Sequence, residues 1–250
     1  MLPPPEQPGY GRDVAHIHDA GFGDFARAIA PGLLRRLHAA GIGEGVVLDL
    51  GCGSGIWAAE LIDAGYGVVG IDLSEDLLAI ARERAPAADL RHGSIYDMEL
   101  PACVAVTALG EIMSYRFDAQ AGRAAARGLL RRVRDVLRPG GLLLFDIVAP
   151  GREPPDGRRT FAEGDDWVLT LEAAQSPDGV LTRRITTFRR EDGALWRRSD
   201  EEHVLWTWEP ADVHIDLADA GFTETRTLRG YGPGHKFPHG WAGFSARRPV

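Results

Sequence analysis

The chain has 250 residues, of which 44% are hydrophobic and 26% charged, the composition of a globular protein large enough to bury a full core. Its 36 acidic side chains outnumber the 28 basic ones, so no overall positive field attracts a phosphate backbone, and no nucleic acid partner is expected. The two cysteines, Cys52 and Cys103, are too few for a disulfide framework and lack metal-ligand spacing, which predicts a cytoplasmic protein without a metal site.

The first 44 residues are predicted to form a lead-in and a helical cap. Residues 1–12 are rich in proline and glycine and lack the charged and apolar regions of a signal peptide. Apolar residues then recur at helical spacing over 22–40, and Pro31 is expected to begin a new helix within that stretch. No apolar run approaches the roughly 20 residues that span a bilayer, so no membrane association is expected.

Strands and helices alternate over 45–150, which predicts a core built on a parallel sheet. Each strand is a short apolar run, and each helix shows an amphipathic period or an N-cap residue. The predicted strands are 46–50, 67–71, 88–92, 103–109 and 142–148. The predicted helices are 56–64, one that begins after Ser74, and 119–137.

After residue 150 the pattern changes to the alternation typical of antiparallel strands, with turn sequences at 176–179 and 191–193. We expect an antiparallel β insert over 151–209, followed by a completion of the core over 210–250. The fold class predicted is α/β, a doubly wound, mostly parallel seven-stranded sheet with an N-terminal helical cap and an antiparallel β insert. The predicted elements of these two regions are strands 167–173, 181–188, 196–208, 223–228 and 241–247, and a helix at 210–220.

The glycine-rich loop after the first core strand is the most informative motif. Asp49 lies near the carboxyl end of the strand, and Gly51, Gly53 and Gly55 follow at alternate positions. Glycines there permit a tight turn and let a ligand lie against the backbone and the start of the next helix. Asp72 ends the next strand about 20 residues on, where a carboxylate can accept hydrogen bonds from both hydroxyls of a ribose.

The spacing of the glycines in this loop distinguishes between candidate cofactors. Dinucleotide-binding loops read GxGxxG, whereas this loop reads GxGxG and has an acid two residues before its first glycine. That acid, Asp49, would repel a pyrophosphate and can hold a cationic amino group. A ligand with a positive amino group and a sulfonium is therefore the better electrostatic match.

With these motifs the sequence resembles the class I S-adenosylmethionine-dependent methyltransferases, in the order of motifs from Gly45 to Arg248. The loop 49–55 is similar to the family's first motif, 70–74 to its second, 137–141 to the turn before its fifth strand, and 220–222 to a later segment. The resemblance implies S-adenosylmethionine as cofactor and a small-molecule methyl acceptor. The residues it implies for cofactor binding are Asp49, Gly51, Gly53, Asp72, Leu73, Ser94, Ile95 and Leu109. Ser94 stands where the family commonly has the acid that contacts adenine, with Asp97 as the alternative.

Two residues are candidates for accepting a proton during catalysis. Glu111 follows the fourth strand of the core at its carboxyl end, where open α/β sheets place catalytic groups. His18 lies in an N-terminal segment that, in related small-molecule methyltransferases, covers the active site. Each also has a structural interpretation, Glu111 as a surface carboxylate and His18 as a buried, hydrogen-bonded side chain.

Two alternative functions remain open at this point. A non-catalytic S-adenosylmethionine-binding regulator would show the same cofactor motifs, because binding and methyl transfer depend on different residues. An NAD(P)-dependent oxidoreductase of a related fold is disfavoured by the GxGxG spacing and by the absence of a Tyr-x-x-x-Lys pair. The insert can serve as an acceptor pocket or as a subunit contact, which leaves a homodimer open.

Overall fold

The computed structural model describes residues 9–154, 156–191 and 193–250. The predicted lead-in falls largely on residues 1–8, and the predicted turn at 191–193 includes Asp192, so these parts of the predictions lie outside the described residues. Within the described residues no helix combines the length and the apolar character needed to cross a membrane.

A seven-stranded sheet forms the centre of the molecule and confirms the predicted fold class. Its order is β10-β11-β5-β4-β1-β2-β3, and β11 runs antiparallel to both its neighbours while the other pairs are parallel. The strands are β1 Val46–Leu50, β2 Gly67–Asp72, β3 Asp89–His92, β4 Cys103–Ala108, β5 Leu137–Val148, β10 Thr223–Leu228 and β11 Trp241–Arg247.

Helices cover both faces of this sheet, because successive apolar side chains of a strand point to opposite faces. In β5, Leu143 and Phe145 face one core, whereas Leu142 and Leu144 face the other. The first core is closed by α5 and α6, and the second by α2 and α3. The helices are α1 Arg12–Phe22, α2 Asp24–Ala39, α3 Ile56–Asp63, α4 Glu75–Arg84, α5 Arg123–Val136 and α6 Pro210–Asp219.

The N-terminal cap differs from the prediction. Two helices are present, and α2 runs through Pro31 instead of beginning a new helix there. Proline removes one helical hydrogen bond. Ile29, Leu33 and Leu37 nevertheless lie on one buried face of the helix, and their packing against the sheet keeps the two halves in line.

The insert is a separate four-stranded antiparallel sheet in the order β6-β7-β8-β9. Three of these strands match the prediction. No strand was predicted at β6, because its charged residues obscure the alternation of apolar and polar residues that is typical of an amphipathic strand. Pairing with β7 makes it a strand, with Phe161 opposite Thr170. The strands are β6 Arg158–Glu163, β7 Trp167–Gln175, β8 Val180–Arg190 and β9 Trp196–Trp206.

Candidate active site

A cavity of about 550 Å³ lies at the carboxyl ends of β1, β2 and β4, the edge at which open α/β sheets bind ligands. One end of its wall comes from the loops that follow these strands. The other end comes from the insert, and α1 contributes from the side. The cavity therefore has a cofactor end on the sheet and a second end enclosed by the cap and the insert.

Two different structural reasons explain why glycine occupies positions 51, 53 and 55 of the loop. A Cβ atom at Gly51 would lie 2.5 Å from Cδ1 of Ile112, and one at Gly55 would lie 2.9 Å from Cβ of Ala81, so packing excludes larger residues there. At Gly53 a Cβ would meet no atom within 4 Å, and this glycine lines the cavity. Its open side leaves room for a ligand to lie against the backbone.

Asp49 is buried at the end of β1 and lines the cavity. The Thr107 hydroxyl donates to its Oδ1 at 2.7 Å, and Trp57 donates to that hydroxyl in turn. Burial raises the pKa of Asp49 to about 7, against the lowering effect of the Thr107 hydrogen bond. A cationic group in the cavity would favour the ionised carboxylate.

Asp72 is held in place by the backbone of two loops. Its Oδ2 accepts from Gly53 N at 2.8 Å, and its Oδ1 accepts from Ser74 N at 2.8 Å. Burial raises its pKa, and these backbone hydrogen bonds oppose that shift. The carboxylate lines the cavity in a fixed orientation, with a second lone pair on each oxygen available to a ligand.

The remaining cofactor residues fall into two groups. Leu73, Ile95 and Leu109 line the cavity. The Ser94 hydroxyl instead donates to Oδ2 of Asp118 at 2.5 Å, and it is the Asp118 carboxylate that lines the cavity. The alternative acid, Asp97, accepts from the Gln120 side chain.

Glu111 is buried and ion-paired with two arginines. Its Oε1 accepts from Arg152 Nε at 3.2 Å and its Oε2 from Arg183 Nη2 at 2.7 Å. The residue has a φ of +66°, a left-handed conformation that costs a non-glycine side chain of order 1 to 3 kcal/mol. The Asp146 carboxylate holds this backbone by accepting from the N–H groups of Gly110 and Glu111.

His18 projects from α1 into the cavity. Burial lowers its pKa to about 4, so the imidazole is neutral near pH 7. Its Nδ1 is buried and has no hydrogen-bond partner among the described residues. Because a buried polar atom usually has a partner, this nitrogen is suited to a hydrogen bond with a bound molecule.

The N-terminal segment is tied to both ends of the cavity. Ser74 caps α4 by accepting from Leu77 N, and its hydroxyl donates to the Tyr10 carbonyl at 2.6 Å. The N–H groups of Tyr10 and Gly11 each donate to the Glu201 carboxylate of the insert at 2.9 Å. This segment therefore connects the core to the insert.

Several residues of the site were not identified from the sequence. Asp146 carries a signal that could have found it, because it is the one charged residue in the apolar run 142–148 and is fully buried. Arg152, Arg183 and Tyr115 carry no such signal. Arg183 reaches the cavity because the insert folds over the sheet, whereas Tyr115 and Arg152 lie in the loops that follow β4 and β5.

Comparisons with known proteins show that the core of this chain is similar to methyltransferases. Residues 47–141 match the family model of a methyltransferase domain. A protein of Geobacillus sp. (strain WCH70) named as a methyltransferase is 28% identical over 186 residues, which cover 71% of this chain and 73% of that protein. The dTDP-3-amino-3,6-dideoxy-alpha-D-glucopyranose N,N-dimethyltransferase of Streptomyces fradiae is 32% identical over 149 residues, 59% of this chain and 52% of that enzyme. The sugar N-methyltransferase KedS8 of Streptoalloteichus sp. ATCC 53650 shares the fold, with a TM-score of 0.77, 21% identity and 100% coverage of both chains.

Proposed function

We propose that this chain is a class I S-adenosylmethionine-dependent methyltransferase that methylates an amine of a small molecule. The observation that carries the choice of an amine is the absence, among the described residues that line the cavity, of a carboxylate or phenolate placed to ionise a hydroxyl.

The residues at the carboxyl ends of β1 and β2 suit this cofactor. When bound, S-adenosylmethionine supplies a sulfonium methyl group, which the acceptor's lone pair takes while the carbon–sulfur bonding electrons remain on sulfur. We assign the methionine end to Asp49 and the open face at Gly53, and the ribose to Asp72. Asp118 would accept the amine of adenine in place of the acid that position 94 lacks.

The Glu111 carboxylate and the two phenols at the acceptor end are not available as strong bases. Both oxygens of Glu111 accept hydrogen bonds from guanidinium groups, so neither takes a proton without disrupting an ion pair. The hydroxyls of Tyr10 and Tyr115 lie 2.8 Å apart, and burial raises the pKa of both, which keeps them protonated. A hydroxyl acceptor needs a base during attack, whereas an amine that has lost its proton to solvent is already nucleophilic.

The names of two relatives point the same way. The Streptomyces fradiae relative is named as an N,N-dimethyltransferase of an amino sugar, and a relative from Rattus norvegicus, 29% identical over 139 residues, is named glycine N-methyltransferase. The rat enzyme aligns over 48% of this chain and 47% of its own length. An acceptor of the same chemical kind, a small primary or secondary amine, is therefore proposed here.

Cofactor affinity should depend on pH through Asp49. Its pKa of about 7 means that the free protein loses the carboxylate charge as the pH falls below 7, whereas a cationic ligand binds the ionised form. We expect S-adenosylmethionine affinity to fall by up to about tenfold per pH unit below 7. Calorimetric titration at several pH values measures this slope. Asp49→Asn should bind weakly at every pH, and an unchanged slope in that variant would contradict the assignment.

His18 should orient the acceptor amine by accepting a hydrogen bond at Nδ1. We expect His18→Ala to lower kcat/KM by about five- to tenfold, the effect of one neutral hydrogen bond. His18→Asn places an amide oxygen near the position of Nδ1 and should retain most of the activity. Because the pKa of His18 is about 4, we expect no change in the pH–rate profile between about pH 5.5 and 7.5 in either variant. Loss of the acid limb of the pH–rate profile in His18→Ala, together with a decrease in kcat/KM of about 10²-fold or more, would instead indicate that His18 is a general base.

The proposed function is tested by methyl transfer from labelled S-adenosylmethionine to matched amines and alcohols of small molecules. We expect labelled amines and an equal amount of S-adenosylhomocysteine. Transfer to the alcohols alone would overturn the choice of an amine. Cofactor binding without transfer to any acceptor would favour a regulator, and binding of NAD(P) in preference would favour an oxidoreductase.

A further inference from the structure

Three arginines line the end of the cavity that is enclosed by the insert. Arg152 lies in the loop after β5, Arg158 lies on β6 and Arg183 lies on β8. The Arg152 and Arg183 side chains are only 16% and 13% exposed. Guanidinium groups that are held at a concave site in this way are suited to planar, bidentate recognition of carboxylates and phosphates.

The carboxylates beside these arginines do not balance their charge. Glu153 accepts from Arg158 through both oxygens, at 2.8 and 3.0 Å, which completes one ion pair. Glu111 divides its two oxygens between Arg152 and Arg183. Three guanidinium groups therefore face two carboxylates, and the excess positive charge lies at Arg152 and Arg183.

Arg152 has terminal N–H donors that are available to bind an anion. Among the described residues, the one hydrogen bond of its side chain is from Nε to Glu111. Its guanidinium lies 5.3 Å from the centre of the Trp241 ring, which holds the group without using its terminal N–H donors. These donors belong to a side chain that lines the cavity.

The other acids near the cavity form no ion pair with Arg152 or Arg183 among the described residues. Asp49 and Asp72 lie at the cofactor end, as does Asp118 beside Ser94. Glu201 is already hydrogen-bonded to backbone N–H groups of the N-terminal segment and to His203 Nε2 at 2.7 Å. The bound cofactor would add positive charge, because S-adenosylmethionine carries a sulfonium as well as an amino and a carboxylate group.

We infer that Arg152 and Arg183 bind an anionic group, a carboxylate or a phosphate, that the methyl acceptor carries in addition to its amine. This inference rests on the proposed function, which places a methyl acceptor at the end of the cavity enclosed by the insert. An anion bound by this pair would fix one end of the acceptor while the amine lies toward the sulfonium. Such anchoring aligns the lone pair with the methyl group and contributes to rate through orientation.

The anion site can be measured without turnover. We would titrate orthophosphate and acetate separately into protein saturated with S-adenosylhomocysteine, for the parent, Arg152→Gln and Arg159→Gln. Arg159 is the matched control, because it follows Arg158 on β6, is 85% exposed and pairs with Glu172. We expect saturable binding of at least one anion in the parent, weakened about tenfold or more in Arg152→Gln and unchanged in Arg159→Gln. Absence of saturable binding in the parent would overturn the inference.

Turnover then identifies which molecule carries the anion. We expect amines with a carboxylate or phosphate to exceed their neutral counterparts in kcat/KM, and Arg152→Gln to remove this preference while the Kd of S-adenosylmethionine is unchanged. An equal loss of cofactor affinity would assign the site to the methionine carboxylate and overturn the inference. Preference for the neutral amines would overturn it as well. If anions bind but no amine is methylated, the anion site stands and the proposed function fails.

Discussion

Replacing Glu111 by alanine is expected to lower the free energy of unfolding by about 3 to 5 kcal/mol, the cost of breaking a buried ion pair by removing one partner. The Glu111 side chain is 4% exposed and neutralises two guanidinium groups that are themselves largely buried. Burial alone would lower the pKa of Arg183, but the charge and hydrogen bond of Glu111, together with the hydroxyls of Tyr115 and Tyr10, raise it. Chemical denaturation of the parent and the variant measures the loss.

Glu111→Gln is the matched variant, because it keeps the shape of the side chain and one carbonyl oxygen for Arg152 or Arg183. We expect a smaller loss of stability than in Glu111→Ala, with weaker binding of the acceptor. A loss of about 10² to 10⁴ in turnover, with stability and both affinities intact, would contradict this and identify Glu111 as the proton acceptor.

The core was predictable because its signals are local. The apolar run at 46–50, the glycines after it and the N-cap Ser74 each specify a structure within a few residues, and all three appear where expected. Asp49 and Asp72 could be placed near each other, because parallel strands bring their carboxyl ends to one edge of the sheet. Their approach to the same cavity follows from that geometry.

The acceptor end could not be predicted because its contacts are between residues distant in the sequence. Glu111 and Arg183 are 72 positions apart and meet only once the insert has folded over the sheet. Ser94 illustrates a second cause. Its hydroxyl was expected to contact the ligand, whereas it donates to Asp118, 24 positions further along. A single position does not reveal that another loop supplies the acid.

Replacing Asp72 by alanine should weaken S-adenosylmethionine binding by about 10- to 150-fold, equivalent to roughly 1.5 to 3 kcal/mol for hydrogen bonds to a charged group. The Asp72 carboxylate is fixed by Gly53 N and Ser74 N and lines the cavity, so it is already oriented for a ribose. Calorimetry gives the Kd. Asp97→Ala is the control, because the Asp97 carboxylate hydrogen-bonds to Gln120. The affinity of this variant for S-adenosylmethionine should equal that of the parent.

Since Asp72 also holds two loops, a weaker Kd alone would not separate a ribose contact from a distorted loop. A double-mutant cycle separates them, with S-adenosylhomocysteine and its 2′-deoxy analogue as ligands for the parent and for Asp72→Ala. If Asp72 accepts a hydrogen bond from the ribose, removal of the hydroxyl should weaken binding to the parent and have little effect on the variant. Equal effects of the deoxy substitution in both proteins would show that Asp72 does not accept a hydrogen bond from the 2′-hydroxyl.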